Sequence, residues 1–287
     1  MKYAFIQAHR TQYTMTRLFD ALEVSASGYY DWLERPESTR SRENRRLTDK
    51  IRSFHQRSRS IYGSPKIHKD LTGAGEACSV NRVARLMKAA DIQSKLARKF
   101  VITTNSKNTL QPAPDRLQRN FSVAGCNRAW VSDTTFIPTR EGWLYLAVVL
   151  ELFSRQVIGW AMSTRNDAVL VQDALTMAIW RRGDVSNVIV HSDQGSTYAS
   201  GLYQQHIKDN QLVCSMSRKG ECLDNAVAES FFGTLKNEHI YHEDYKTRSQ
   251  AKQSLFEYIE VFYNRQRRHA SIGYMTPVEY EMKYAGN

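Results

Sequence analysis

Three acidic residues occupy positions from which they can carry out phosphoryl-transfer chemistry. Asp133 ends a β-like run in Trp-Val-Ser-Asp, Asp193 ends another in His-Ser-Asp-Gln-Gly, and Glu229 lies on a predicted helix. The chain leaves 35 residues between Asp193 and Glu229. Carboxylates can hold two hard cations such as Mg²⁺, which activate an attacking oxygen and stabilise a leaving one at a phosphodiester. The three acids therefore indicate a metal site for phosphodiester chemistry.

The first two acids each also fit an ordinary structural role. An isolated carboxylate within a strand is costly unless it is paired or bound to a cation, but alternation along this strand is equally compatible with an exposed Asp133. Asp193 lies just past the carboxyl end of an apolar strand, where ligands gather in folds of sheets and helices, and Gly195 permits a sharp turn there. His191 faces the same side as Asp193. A structural histidine is the commoner case, so we do not assign His191 to catalysis.

The helix that carries Glu229 combines an apolar side with a polar face. Asn225, four residues earlier, and Lys236, seven residues later, share that face with Glu229. Such a face can supply a metal ligand flanked by polar and cationic contacts to DNA, although a solvated helix face would look much the same. The combination of three acids on these elements favours the metal site.

Positive charge is concentrated in the first part of the chain. The 287 residues carry a formal net charge of +11, and residues 35–119 contain 20 of the 40 Lys and Arg residues but only seven acids. A block of this kind favours a polyanionic partner, and double-stranded DNA is the one that we expect. A solvated charged face is the alternative, but nothing within the block neutralises its charge.

Residues 43–102 are predicted to form a basic helical DNA-binding domain. Its last helix, Ser79–Ala90, follows a glycine-containing break and has one apolar face. On another face Arg82, Arg85 and Lys88 recur every three residues, as in a recognition helix that enters the major groove. An ordinary amphipathic helix is the alternative interpretation.

Two further segments flank this basic domain. Residues 1–35 show helical spacing over Thr14–Leu22, a break, and a second short helix that Ser27 can cap, a pattern that resembles a helix-turn-helix. Pairs of short amphipathic helices are also common packing units. Residues 103–119 are polar, contain two prolines and are predicted to be a linker.

Residues 120–241 are predicted to form an α/β domain, and residues 242–287 a helical and basic tail. The order β-β-β-α-β-α-β-α predicts a mixed five-stranded sheet with flanking helices. The tail combines an amphipathic helix over Arg248–Arg265 with a basic run in which Arg267 and Arg268 are candidates for DNA contact. The predicted strands are Ala129–Pro138, Trp143–Glu151, Arg155–Ser163, Asn187–His191 and Leu212–Met216, and the predicted helices of this domain are Asp167–Arg181, Tyr198–Asn210 and Leu223–Ile240.

Cysteine spacing and hydropathy disfavour several other classes of protein. The four cysteines have no C-x-x-C spacing, which argues against a disulfide framework and makes a zinc site a weak alternative. The longest apolar run, Leu144–Leu150, is too short to span a bilayer, and no charged-then-apolar leader follows Met1. We therefore expect a cytoplasmic protein that has no membrane partner.

The sequence around the three acids resembles a known signature. Asp133 in Trp-Val-Ser-Asp-Thr-Thr, Asp193 in His-Ser-Asp-Gln-Gly-Ser-Thr-Tyr and Glu229 in Asp-Asn-Ala-Val-Ala-Glu-Ser-Phe-Phe are similar to the D, D(35)E pattern of transposases and retroviral-type integrases with a ribonuclease H-like core. The closer resemblance is to the OrfB product of bacterial insertion sequences that encode their transposase in two overlapping frames. It extends over essentially the whole chain and includes the segments Met1–Ile6, Tyr62–Ile67, Gly142–Leu150 and Tyr263–His269.

This resemblance implies a DNA transposase of the bacterial cytoplasm that is associated with the nucleoid. Asp133, Asp193 and Glu229 would be its catalytic residues and would bind Mg²⁺ or Mn²⁺, as two ions. Lys236 matches a basic residue that contacts element-end DNA. Hydrolysis of a phosphodiester at the element end would be followed by strand transfer from the exposed 3′-OH.

The same resemblance implies particular partners. The chain is expected to self-associate in a complex with DNA. Because it contains no sustained heptad run, it matches the downstream half of the two-frame transposase. An upstream OrfA product, fused or paired with it, would then supply recognition of the DNA ends.

Two other functions fit the residues when the resemblance is set aside. A ribonuclease H-like nuclease would hydrolyse nucleic acid without strand transfer, and a non-catalytic DNA-binding regulator would use only the basic block. The residues themselves reach as far as phosphodiester chemistry.

Overall fold

The chain begins with three short helices that form a small cluster of their own. A computed structural model describes residues 1–95, 113–218 and 222–284. Ile6, Leu18 and Tyr29 are buried against one another, one from each helix. The cap of the third helix is Ser25, whose hydroxyl accepts the Gly28 N–H at 3.1 Å, and not Ser27 as the sequence suggested. The three helices are α1 (Lys2–His9), α2 (Met15–Leu22) and α3 (Ala26–Glu34).

The basic domain is helical, as predicted. Serine side chains begin two of its helices, because the Ser38 and Ser79 hydroxyls accept backbone N–H groups three residues on. Pro65 lies in the first turn of the middle helix, where its missing N–H costs nothing. The helices are α4 (Thr39–Arg57), α5 (Ser64–Gly73) and α6 (Val80–Ala89), and their buried residues are Leu47, Ile51, Ile67, Leu71, Val83 and Met87.

The α/β domain contains the mixed five-stranded sheet that the sequence predicts. The strand order is β3-β2-β1-β4-β5, with antiparallel pairing among the first three strands and parallel pairing of β1 with β4 and of β4 with β5. The turn Arg140–Glu141 connects the first two strands. The strands are β1 (Ala129–Thr139), β2 (Gly142–Glu151), β3 (Val157–Ser163), β4 (Ile189–Ser192) and β5 (Val213–Met216).

Helices cover both faces of this sheet. On one face, α7 (Ala168–Arg182) and α8 (Gly201–Asp209) pack on Trp130 and Val149. Gly159 of β3 permits the close approach of α7, since a Cβ there would lie 2.2 Å from the Ala174 carbonyl oxygen. On the other face lies α9 (Ala226–Glu238). The helix that carries Glu229 thus packs directly on the central strands.

The predicted C-terminal tail is part of this core, which corrects the boundary placed at residue 242. Tyr258, Ile259 and Phe262 are buried in the same cluster as the sheet and α9. The side chain of Asn264 also pairs with both backbone groups of Val157 in β3, at 3.0 and 2.9 Å. Its helices are α10 (Arg248–Phe256), which continues as a π-helical turn over Glu257–Tyr263, and α11 (Pro277–Tyr284).

The predicted linker is also packed in its last part. Residues 96–112 lie outside the described residues, but residues 113–119 pack against the sheet beside β5. The backbone N–H groups of Arg116 and Leu117 donate to the Ser215 hydroxyl, at 2.9 and 3.3 Å, and Leu117 is buried. The core therefore begins before residue 120. No helix in the described ranges is long and apolar enough to cross a membrane.

Candidate active site

Asp133 lies on the central strand at the level where its parallel neighbour ends. The register pairs Val131 of β1 with His191 of β4, and β4 ends one residue later at Ser192. Asp133 is partly buried, and one oxygen of its carboxylate accepts the Thr134 N–H at 2.7 Å. The side chain therefore lies at the open corner of the sheet with one oxygen fixed by the backbone.

Asp193 immediately follows β4 and lies at the same level of the sheet. Its carboxylate accepts the backbone N–H of Gly195 at 2.9 Å. A Cβ on residue 195 would lie 2.9 Å from that same oxygen, so any larger residue there would require the carboxylate to move. The sequence predicted a sharp turn at this position, and the structure shows that the turn holds the carboxylate.

Glu229 is in the first turn of α9, and the packing of that helix fixes its position. Ala228, Phe231 and Leu235 are buried against the sheet, which directs Glu229 to the edge of the same face. Its side chain is partly buried, and burial raises its pKa above the ordinary value. Negative charge on Glu229 is also favoured by its place at a helix N-terminus.

The electrostatic coupling of Asp133 joins these groups into one site. Burial, then the neighbouring charge of Asp193 and then that of Glu229 raise the pKa of Asp133 to about 8, while Lys236 and the Thr134 N–H oppose the rise. Burial also raises the pKa of Asp193. Like charges that raise the pKa of a carboxyl group must lie near it. The three predicted acids and Lys236 therefore share one corner of the molecule.

The acids are near one another without forming a closed coordination set. In residues 1–95, 113–218 and 222–284, no group of three His, Cys, Asp or Glu side chains lies close enough to hold one ion. The residues that can hold a divalent cation by their chemistry are Asp133, Asp193 and Glu229. All three offer the oxygen ligands that hard cations prefer.

Lys236 lies beside these acids on α9, two turns beyond Glu229. Its ammonium group is 5.2 Å from the centre of the Phe136 ring. Burial lowers the pKa of Lys236, and the charge of Asp133 works in the opposite direction. A single cation thus links the acid site to an aromatic ring on β1.

Asn225 does not occupy the exposed face that the sequence predicted. The chain forms a 3-10 turn over Cys222–Asn225, and α9 begins only at Ala226. Asn225 thus lies in the 3-10 turn and outside α9, so α-helical spacing counted back from Glu229 does not apply to it. Asn225 is buried, and its side-chain oxygen has no hydrogen-bond partner. This placement argues against direct DNA contact by Asn225.

Asp224 is a structural residue at the start of α9 that the sequence analysis missed. Its carboxylate is buried and accepts the Arg119 guanidinium at 2.6 Å and the backbone and side chain of Arg218 at 3.0 and 3.2 Å. These bonds, Arg218 first, hold the pKa of Asp224 well below its usual range. Asp224 therefore ties the start of α9 to two other segments. The available signal was an acid in the first turn of the predicted helix Leu223–Ile240.

His191 has a structural environment, in agreement with the decision not to assign it to catalysis. The ring is fully buried, and its Nδ1 atom is 2.9 Å from the Ser215 hydroxyl on β5. Burial lowers its pKa, against the opposing charges of Asp115 and Asp224. A neutral, buried imidazole here links neighbouring strands beneath the acid site.

The three basic residues predicted on α6 have different environments. Arg82 donates to the Glu43 carboxylate at 3.0 Å and to Asn44 at 2.8 Å, and so joins α6 to α4. Arg85 and Lys88 are exposed. Only these two therefore present their charge on the outer face of the helix.

Arg267 and Arg268 are engaged within the protein. The Arg267 guanidinium is buried and forms a two-bond pair with Glu238 at 2.6 and 2.7 Å. Arg268 donates to Asp70 of α5 at 2.6 Å and to a backbone carbonyl at 3.0 Å. The structure assigns both arginines to internal ion pairs, which argues against their predicted contact with DNA.

The mixed sheet, the flanking helices and the acid site define an integrase-type catalytic core preceded by a helical DNA-binding domain. Residues 124–222 and 229–284 match families described as Integrase core domain, and residues 42–100 match an HTH-like domain. The fold is also similar to the catalytic core domain of HTLV-2 integrase in complex with magnesium, with a TM-score of 0.40, 15% identity and coverage of 54% of this chain and 95% of that chain.

Two curated relatives identify the family within this class. The chain is 40% identical to transposase InsF for insertion sequence IS3A of Escherichia coli (strain K12) over 285 residues, 99% of each protein. It is also 40% identical, over 261 residues, to an uncharacterized 31 kDa protein of insertion element IS600 from Shigella sonnei, covering 91% of this chain and 96% of that protein. The chain belongs to the InsF family of insertion-sequence transposases. The predicted class, an OrfB-type DNA transposase of the DDE superfamily, is confirmed.

Proposed function

We propose that Asp133, Asp193 and Glu229 form the catalytic site of this transposase and bind Mg²⁺ or Mn²⁺, as two ions. The reaction would begin with hydrolysis of a phosphodiester at the end of the element. The exposed 3′-OH would then attack a second phosphodiester and join the two DNA strands. The observation that carries the proposal is the placement of Asp133 on β1 at the level where β4 leads into Asp193, with Glu229 in the first turn of α9, which packs on the same sheet.

The residues present fit divalent cations by their chemistry. Three carboxylates whose negative charges oppose one another are gathered at a partly buried corner. Such an arrangement is unfavourable by itself and becomes favourable when cations neutralise it. Among the described residues, no three acidic side chains lie close enough to bind one ion together. We therefore expect the three carboxylates to move towards one another when ions bind.

The contacts of the protein explain how it would support the chemistry. When bound, divalent cations activate an attacking oxygen and stabilise a leaving one. The N–H groups of Thr134 and Gly195 orient two of the carboxylates, and the packing of α9 positions the third. Lys236 places a positive charge beside Asp133, where it can pair with a DNA phosphate.

The basic domain would hold double-stranded DNA mainly through its phosphates. Arg85 and Lys88 are exposed on α6 and are the contacts that we propose from this helix, together with Lys236 at the acid site. We also propose that the chain self-associates on element ends and target DNA. An upstream OrfA product, fused or paired with the chain, would supply recognition of the ends.

The Glu229→Gln variant tests the catalytic site. The substitution keeps the size of the side chain and removes its charge, so cleavage and joining should fall by at least a hundredfold while DNA affinity is kept. Glu257→Gln, at an exposed glutamate of the C-terminal segment, is the matched control and should retain activity. Products would be separated on denaturing gels with Mg²⁺ or Mn²⁺ present.

A pre-cut DNA end with a free 3′-OH distinguishes the remaining functions. Joined product from this substrate supports transposition. Hydrolysis without any joining would favour a nuclease, and full cleavage by the Glu229→Gln variant would show that the proposed site is wrong.

A further inference from the structure

Two large aromatic side chains are exposed next to each other on the first hairpin of the sheet. Phe136 on β1 is 39% exposed and Trp143 on β2 is 50% exposed. Their ring centres are 4.9 Å apart, with an angle of 81° between the ring planes. The pair is thus packed edge to face, and about half of the tryptophan surface remains open to solvent. Exposed aromatic clusters of this kind commonly mark binding sites.

This aromatic pair lies at the acid site. Phe136 follows Asp133 by three residues on one strand, a separation of roughly 10 Å along the backbone. The pairing of β1 with β4 ends at Val131, so both residues lie beyond the end of β4. Strand alternation points Asp133 and Phe136 to opposite faces, but Lys236 contacts the Phe136 ring at 5.2 Å and also acts on the charge of Asp133. Lys236 therefore connects the aromatic pair to the acid site beyond the end of β4.

Positive charge flanks the aromatic pair on both sides. Lys236 lies over the Phe136 ring, and the Arg248 side chain donates to the backbone carbonyl of Trp143 at 3.1 Å. Aromatic rings beside cations are the combination with which proteins bind unpaired nucleotides, since the base stacks on the ring while the cation attracts the phosphate. A purely structural pair would need neither the open tryptophan face nor the adjacent cations.

We propose that Phe136 and Trp143 form a stacking site for an unpaired nucleobase of the DNA strand that is processed at the three acids. The inference rests on the proposed function of the acids, because it places the phosphate of that strand beside Asp133. Duplex DNA keeps its bases stacked inside the helix. The site would therefore act on a frayed or single-stranded end, and it would hold the neighbouring phosphate in position.

The test measures binding and requires no cleavage. The probe is a DNA duplex with a short single-stranded tail that contains 2-aminopurine, whose fluorescence falls when it stacks on an aromatic ring. The same duplex with a blunt end is the comparison. The full-length chain would be used in EDTA, both as wild type and with Glu229→Gln, so that the result does not depend on catalysis.

Trp143→Ala should weaken binding of the tailed duplex by roughly tenfold, abolish the fluorescence change and leave binding of the blunt duplex unaltered. Trp143→Phe should restore most of both signals, because it keeps an aromatic face. Trp180→Ala is the matched control, since Trp180 is 85% exposed on α7, outside the first hairpin, and should change neither signal.

Three outcomes would overturn the proposal. These are unchanged binding of the tailed duplex by Trp143→Ala, an equal loss on tailed and blunt duplexes, and a failure of Trp143→Phe to restore the fluorescence change. Failure of the proposed catalytic function would be recognised by a different observation. It would appear as cleavage by Glu229→Gln, whatever happens to base stacking.

Discussion

The acid site differs from the Arg267–Glu238 ion pair in how its charges are balanced. This ion pair, which we call the junction, connects the C-terminal segment to the end of α9. At the acid site, Asp133, Asp193 and Glu229 lie close enough for their charges to oppose one another. At the junction, Arg267 is matched to Glu238 by two hydrogen bonds, each shorter than 3 Å. Balanced charge stabilises a fold, whereas unbalanced charge of one sign requires something from outside the chain. The difference separates the residues that do chemistry from those that hold the structure together.

Asp133→Asn should produce the largest effect, and it should act in opposite directions on activity and stability. We expect a loss of roughly three orders of magnitude in DNA cleavage, because a ligand of the catalytic cations is removed. In the metal-free protein the same change should raise the free energy of unfolding, because it removes a buried, repelled carboxylate.

The gain in stability should depend on pH. Folding raises the pKa of Asp133 from the usual 3.8 to about 8, so this group costs nothing below pH 3.8 and progressively destabilises the native state as the pH rises towards 8. Denaturant unfolding at pH 5 and pH 8 in EDTA would measure it. A variant that is less stable than wild type at pH 8 would contradict the coupling of the three acids.

Breaking the junction should lower the free energy of unfolding more than it affects activity. Arg267→Met leaves the partly buried Glu238 carboxylate without its cationic partner and should cost roughly 3 kcal/mol of unfolding free energy. Glu238→Gln combined with it should recover part of that loss, since no uncompensated charge remains. Arg140→Met, at a pair whose side chains are 63% and 69% exposed, should cost less than about 1 kcal/mol. An equal loss of unfolding free energy at both ion pairs would show that burial of the junction does not make it more stabilising than an exposed pair.

A smaller effect is expected within helix α6, where the same contrast occurs between neighbouring residues. Replacing the exposed Arg85 and Lys88 by alanine should weaken DNA binding and reduce the slope of log affinity against log salt by about 1 for each lost phosphate contact. Arg82→Ala should lower the melting temperature, because Arg82 joins α6 to α4. If only Arg82→Ala changed the salt slope, Arg82 would be the DNA contact and Arg85 and Lys88 would not.

The sequence predicted the sheet, its flanking helices and the three acids, because these depend on local pattern and on residue type. Apolar runs between turn residues identified the strands, and an acid within one strand, one directly after another strand and one on a helix identified the site. The packing of the C-terminal helix on the sheet was not predictable in the same way. An amphipathic stripe shows that a helix is covered without showing what covers it.

The sequence was least informative about which charged residues pair with one another. Arg267 and Arg268 in a basic run suggested DNA contact, but their partners Glu238 and Asp70 are distant in the chain. The bonds of Asp224 to Arg119 and Arg218 likewise join three separate segments. Asn225 was misplaced for a local reason, since it lies in a 3-10 turn before α9, to which α-helical spacing does not apply. Pairings of this kind become visible only in three dimensions.

The hydrogen bonds of the Tyr62 hydroxyl determine when, during synthesis, two parts of the chain can be joined. It donates to the carbonyl of Gln266 at 3.0 Å and accepts the backbone N–H of Arg268 at 2.7 Å, across more than 200 residues of chain. Contacts so far apart in sequence form late in folding. While residues 266–268 are still inside the ribosome, the basic helices cannot be locked to the catalytic core. A nascent chain therefore cannot make this connection between the basic helices and the C-terminal segment until residues 266–268 have left the ribosome.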